Sequence, residues 1–479
     1  MRNPVRAVAA TSLILGPTAL AFFSGGFFER PRLIAGIVVW GIAAAAMAMS
    51  PRPLPRTGPG LAALSGLALL TAWTALSYEW APLGGRAQDD IQRLLLYLGF
   101  FVACVALLRG RTGRLAVEPG LAIGAFVVTV YGLSARLVPD LVTQERSSSA
   151  EGRLEQPLTY WNAMGSLCAI GLVLCVGIAA DARRERALRV GAALCGPALG
   201  LGVYLSFSRG ALFALGAGLA LLLALRPSFR AHLRATATLA GAGALASLAA
   251  SFLPTVEALP PGQDADATQG AIMLGALVVA SAGAALITAR ASVEATEVPA
   301  RRLAGLGRPA IAAVSIVLVI GGLAGAAALE GNPSARSAGD PTDPTRFTSA
   351  DSTRYAFWRV ALEAFAEDPL KGTGSGGFAV EWRRQPDRTE GAVDAHSLYI
   401  ETLSELGIVG AAFLALFLGG ILASAVRLQR RAPATASGPA AALGVWVVHA
   451  GLDWHWEMPA LTGIALALAG ALVAWQDEA

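Results

Sequence analysis

Apolar runs of about 18 residues or more recur along the chain, broken by short polar stretches that often carry arginine. A run of that length crosses the hydrocarbon core as one helix. Taken in order, the runs predict spans at roughly 5–23, 33–49, 59–77, 91–108, 118–136, 161–180, 190–206, 210–225, 235–253, 271–289, 310–329, 402–426, 439–452 and 459–475. The expected class is therefore all-α, a polytopic transmembrane bundle of about fourteen helices, because a helix satisfies its own backbone groups in lipid. No series of alternating strands of about ten residues, the mark of a membrane barrel, is present. One polar stretch interrupts the pattern and divides the chain into 1–329 (helices), 330–398 (one large loop) and 399–479 (helices).

Composition agrees with this reading. Hydrophobic residues make up 55% and charged residues 15%, against about 25% charged in ordinary soluble domains. The net charge of +4 is small and dispersed, which argues against a nucleic-acid partner. Cys104, Cys168, Cys175 and Cys195 all fall in apolar runs, in neither disulfide nor metal-ligand spacing, and read as buried thiols. The start, MRNPVR, is expected to lead into a retained first helix rather than a cleaved signal. Arginine placement orients the bundle. Arg52, Arg56, Arg109, Arg111, Arg114, Arg183, Arg184, Arg186, Arg189, Arg427, Arg430 and Arg431 fall in alternate loops, whereas loop 254–270 has no basic residue. By the positive-inside rule both termini are cytoplasmic and loop 330–398 is extracytoplasmic, in a cytoplasmic membrane.

The loop is where chemistry concentrates. Its first part is rich in Pro, Gly, Ser and Asp and reads as irregular. A helix then starts at an N-cap, Asp351 or Ser352, and stops before Pro369. Arg354, Trp358, Ala361 and Phe365 share one stripe of it, as in an amphipathic helix lying on the membrane surface. Arg354 reads either as a solvated charge or as a ligand for an anion; Arg359 is expected to point elsewhere. Gly372, Gly374 and Gly377 have G-x-G-x-x-G spacing, but no strand precedes them, so a dinucleotide fingerprint is excluded. Gly374 is instead expected in a turn that lets backbone approach another element or a phosphate. Next comes His396, at the border of loop and membrane helix, followed by Glu401 and Glu405 at i, i+4 spacing. A histidine there can act as general base for a hydroxyl, and an intramembrane carboxylate is a site candidate.

Three further clusters lie at predicted outer helix ends. Ser206-Phe207-Ser208-Arg209-Gly210 opens a helix, whose N-terminal N–H groups with Ser208 and Arg209 form an anion site; the alternative is an arginine snorkelling at a helix end. Tyr160 and Asn162, beside Arg153 and Trp161, offer an aromatic face and an amide to a sugar, or simple interfacial anchoring. Asp453 and His455, alternating with Trp454 and Trp456, are expected to face one outer cavity; the alternative is that the two tryptophans simply form an interfacial belt. His449, Asp453 and His455 lack zinc spacing, so no metal is expected.

PLTYWNAMG at 157–165, SFSRGAL at 206–212, RYAFWRVALEAFAEDPLKGTGSGGF at 354–378, DAHSLYIETLSELGIVG at 394–410 and DWHWEMP at 453–459 together resemble the O-antigen ligase and Wzy-type polymerase superfamily of bacterial membrane glycosyltransferases. The resemblance covers about 150–475 and rests on the combination and order of the motifs. It implies a GT-C-like enzyme without cofactor or metal. Such an enzyme takes a glycan from an undecaprenyl-diphosphate carrier at the outer face and transfers it to a sugar hydroxyl of a glycan or glycolipid acceptor. The family's motif arginines fall on Arg209 and Arg354 and its loop histidine on His396; Ser397 stands where asparagine commonly follows that histidine. The competing expectation is a lipid-linked glycan flippase or other transporter, which would show repeated halves with broken helices. A peptidoglycan polymerase of the shape, elongation and division type uses a similar donor, but its pattern is absent.

Overall fold

The computed structural model describes residues 4–225, 228–291, 342, 354–385 and 391–479. These form helices α1 (Pro4–Ala21), α2 (Glu29–Met49), α3 (Gly58–Ser77), α4 (Gly84–Leu107), α5 (Gly110–Leu137), α6 (Trp161–Ala180), α7 (Arg186–Leu205) and α8 (Arg209–Leu225). They continue with α9 (Phe229–Ala250), the single turn α10 (Pro254–Glu257), α11 (Ala267–Arg290), α12 (Arg354–Glu367), α13 (Phe378–Arg383), α14 (Leu398–Arg431), α15 (Pro433–Ala450) and α16 (Pro459–Gln476). Among the described residues there is no strand, and eleven helices are long and apolar enough to cross a membrane. The predicted spans fall on these helices with shifted ends, except 310–329, which lies outside the described residues. So do the irregular start of the loop and the N-cap expected at Asp351 or Ser352.

The layering follows from which helices lack a polar face. The spans of α6 and α16 are wholly buried inside the protein, while α1, α2, α9 and α11 bury about a quarter of theirs and turn the rest outward. A helix apolar all round is either enclosed or bathed in lipid; both kinds occur here. α6 packs against α5, α7, α8 and α15, and α16 against α1, α4, α14 and α15.

The bundle has two chemically different ends. At one, the C-terminal Asp477 and Glu478 take Arg109 and Arg114 at 3.1 and 3.0 Å, and Arg184 meets Glu118 at 2.5 Å. The other end gathers the loops after α1, α5, α7, α9 and α15 with α12 and α13. There the α12 helix is packed rather than laid flat on lipid. Phe357, Trp358, Val360, Ala361 and Ala364 are buried, with Phe357 4.6 Å from the ring of Trp382 and also against Phe378, Ala392 and Ala395. The reason is that α13, following the glycine turn, offers an aromatic protein surface to that stripe. Arg359 does project away, pairing with Glu363 at 4.0 Å.

Candidate functional site

Asp453 is the centre of the site. It is buried in the turn between α15 and α16. One carboxylate oxygen accepts from Arg354 at 2.5 Å. The other accepts from the Tyr160 hydroxyl at 2.6 Å and from the backbone N–H of Trp454 at 2.8 Å. Asn162 in turn donates to the Tyr160 oxygen at 2.7 Å. Burial alone would raise the Asp453 carboxyl, but Arg354 and the neighbouring histidines hold it at about 2. Burial and Asp453 together push the Tyr160 phenol up, so Tyr160 stays a donor. This chain joins the loop helix α12, the entry to α6 and the α15–α16 turn through one carboxylate.

His396 stands at the lip of the same site. Its backbone is left-handed, with φ of 56°, a conformation a non-glycine residue adopts only when its surroundings impose it. The Nδ1 atom lies 3.0 Å from the carbonyl of Asp394. A carbonyl can only accept, so Nδ1 carries the proton and Nε2 presents its lone pair. The ring rests on Phe357, with centroids 5.1 Å apart, and meets Trp454 edge-on at 6.4 Å. Desolvation keeps His396 below the usual histidine range, against the pull of Asp453.

The SFSRG turn closes the other side. Phe207 also has positive φ, 48°, and the turn lets Ser208 cap α8, its Oγ accepting from the Ala211 N–H at 3.2 Å. Arg209, half-buried, is the first residue of α8. Behind this first turn sit His449 and His455, both fully buried, their Nδ1 atoms 2.9 Å apart. Burial drives His455 down to about 4, so it is neutral at pH 7.

The glycine turn serves α14. That helix is broken at Gly407, where φ is 64° and ψ −167°. The backbone groups freed by the break are met by the turn. Thr373 and Gly374 N–H donate to the carbonyls of Ser404 and Glu405 at 3.0 and 2.8 Å, and the Ile408 N–H donates to Pro369 at 2.9 Å. Trp73 Nε1 donates to the Leu406 carbonyl at 2.9 Å. Gly374 packs directly on the backbone of Ala81. Glu405 accepts the N–H groups of Gly376 and Phe378 at 2.9 and 3.0 Å, and Glu401 that of Ala395 at 2.6 Å, one residue before His396. Glu401 and Glu405 also line a cavity of about 50 Å³ that mixes the polar Asp90, Arg93, Ser375 and Glu457 with apolar side chains such as Leu398 and Trp456.

The structure thus brings Arg354, His396, Tyr160, Asn162 and Asp453 together, with Ser208 and Arg209 at the adjoining helix start and His455 buried behind that start against His449. Glu401, Glu405 and Gly374 form the frame beneath this group. Sequence reasoning missed the part of Trp454. Rather than anchoring in the interface, it lies among Tyr160 (4.4 Å between centroids), Phe27 and His396. It also missed Asp90, Arg93 and Glu457, whose ion pairs tie α4 to the α15–α16 turn. Charges spaced so irregularly within an apolar helix were the available signal.

These features define a polytopic helical membrane protein with a buried, charged site at one mouth. Residues 194–415 match the family model described as O-antigen ligase. That stretch is similar to the O-antigen ligase family, which supports a place in the O-antigen ligase and polymerase superfamily and a part in surface polysaccharide assembly. The match contains Arg209, Arg354 and His396; Tyr160, Asn162, Asp453 and His455 lie outside it. No curated protein matches the chain.

Proposed function

We propose that this protein transfers an undecaprenyl-diphosphate-linked glycan to an acceptor sugar hydroxyl at the outer face of the cytoplasmic membrane. The observation that carries the reading is the pairing of an oriented cation with an oriented base at one mouth. Asp453 fixes Arg354, and the Asp394 carbonyl leaves His396 Nε2 as an acceptor. The leaving group is a lipid diphosphate, whose charge grows as the glycosidic bond breaks. Arg354, with Arg209 and the start of α8, stabilises that charge, so the charge on the leaving group needs no bound cation. His396 takes the proton from the attacking hydroxyl. Direct attack inverts the anomeric centre; a retained configuration in the product excludes this step.

The broken helix α14 is the one observation that favours a transporter, since transporters build ion sites at such breaks. Here the freed groups are taken by the chain's own 369–374 backbone and by Trp73, which supports a scaffold role. The orientation, with the site outward and both termini cytoplasmic, rests on the arginine-rich loops at the opposite end. The division into 1–329, 330–398 and 399–479 is kept as part of this reading, the loop carrying Arg354 and His396 between two sets of helices.

The test is glycan transfer by purified protein with undecaprenyl-diphosphate oligosaccharide and EDTA, comparing wild type with Arg209→Ala, Arg354→Ala and His396→Ala. Transfer by wild type and its loss in folded variants is the expected result. An inert wild type that moves labelled lipid-linked glycan across vesicles overturns it in favour of a flippase.

A further inference from the structure

We infer that His449 is a phosphate ligand: its Nε2–H donates to the diphosphate of the lipid carrier at the first turn of α8, and His455 sets the tautomer that makes this possible. The inference rests on the donor proposed above and adds a residue to it.

Three observations converge on His449. Its ring is fully buried near the end of α15, and among the described residues its Nε2 has no hydrogen-bond partner. A buried polar atom without a partner costs free energy, so its retention asks for a ligand or another reason. Second, that atom is aimed at the start of α8. A Cβ placed on Gly210 would lie 3.1 Å from Nε2 and 3.3 Å from its neighbouring ring carbon. Gly210 follows Arg209, so the imidazole edge and the arginine belong to the same helical turn. Helix starts present unsatisfied N–H groups and partial positive charge. The unpartnered, buried Nε2 is the independent sign that an anion completes this one.

Third, the other ring nitrogen is spoken for. His449 Nδ1 lies 2.9 and 3.1 Å from the two ring nitrogens of His455, the rings stack with centroids 4.3 Å apart, and the contact puts a proton either on His449 Nδ1 or on the His455 nitrogen beside it. When His455 carries it, His449 Nδ1 accepts and His449 Nε2 bears the hydrogen, pointing a donor at the helix start. The opposite arrangement would set a lone pair against an anion. His449 also lies within electrostatic reach of Arg354 and Asp453. Its edge therefore meets the turn that begins with Arg209, one of the two arginines proposed to hold the diphosphate.

The experiment measures binding of undecaprenyl diphosphate and undecaprenyl monophosphate to the full chain in nanodiscs, together with transfer kinetics and thermal stability. His449→Phe is expected to weaken diphosphate binding about tenfold or more, the loss typical of a hydrogen bond to a charged group. Acceptor KM should not change. His449→Gln, whose amide restores an N–H, should recover most of the affinity. Equal binding by His449→Phe and wild type overturns the inference. So does equal loss in both variants with a fall in melting temperature, which marks a packing role. A wild type that transfers glycan while these variants bind normally sinks only the inference. A wild type that neither binds lipid diphosphate nor transfers glycan sinks the proposed function as well.

Discussion

Asp453 illustrates how one carboxylate can govern a site it need not enter. Arg354 and Tyr160 both point where they do because Asp453 accepts from them. Asp453→Asn keeps the shape but removes the charge and offers an N–H where Arg354 or Tyr160 donates. We expect transfer activity to fall by about a hundredfold, with a smaller fall in stability, since breaking a buried charged pair leaves its partner uncompensated. Initial rates and melting temperature, measured together, check this. His455 gives a pH prediction of definite sign. Its folded value near 4 lies below the ordinary value of about 6.5, so between these limits the unfolded chain binds more protons. Stability is therefore full above about pH 6.5 and is lost as pH falls toward 4, by at most about 3 kcal/mol. Melting curves from pH 7.5 to 4.5 should show this fall in wild type and less of it in His455→Gln. For His396 the shift is also downward, so the acid limb of the rate profile should lie below the usual histidine range. In the sequence Arg354 and His396 stood out as polar residues beside apolar spans, Arg354 open between a solvated charge and an anion ligand, and the motif resemblance is what singled out both. The left-handed backbone at His396 and the role of Asp453 were not legible there, because both are imposed by contacts made across distant segments.

At the scale of elements, the decisive feature is the break in α14. The sequence reads there as an ordinary apolar helix beginning after His396, and Gly407 alone gives no sign that the helix is interrupted. The break becomes stable only when the 369–374 backbone supplies donors and acceptors, which no periodicity reveals. A Cβ on Gly407 would come 2.3 Å from the Leu370 carbonyl oxygen, in a φ region that disfavours side chains. Gly407→Ala should therefore destabilise the protein by roughly 1–3 kcal/mol and displace the loop that carries His396. Proteolysis of the 370–398 region, faster in the variant than in wild type, is the readout; unchanged cleavage and activity would show that the frame tolerates the side chain. The same logic separates the two readings of the glycine turn. Its sequence context excluded a dinucleotide fingerprint and left an approach to another element or to a phosphate; the N–H groups of Thr373, Gly374 and Gly376 go to α14, which makes it a clamp on the helix that bears Glu401 and Glu405. The α12 helix is the complementary case. Its apolar stripe was visible, but whether lipid or protein would cover it depended on Phe378 and Trp382 folding underneath.

For the whole molecule, the prediction concerns sidedness. The all-helical class followed directly from run length, and the enclosed positions of α6 and α16 agree with their nearly unbroken apolar sequence. Under the proposed function the alternation of spans then decides access, because the lipid-linked donor has to reach Asp453, Arg354 and His396. Within the described residues the Asp477 and Glu478 contacts fix the C-terminus at the end where Arg109, Arg114 and Arg184 lie. Loop 254–270, without a basic residue, lies at the site's end, with Leu259 bonded to Gly152. In a variant lacking the four native cysteines, single cysteines at exposed Arg52 and exposed Gly262 report on the two ends. A membrane-impermeant maleimide applied to intact cells should label position 262 and reach position 52 only after permeabilisation. That outcome places the site where a lipid-linked glycan is presented for transfer. The reverse pattern would put the site in the cytoplasm, and the assignment of donor and acceptor to the outer face would have to be withdrawn even if the purified protein proved to be a transferase.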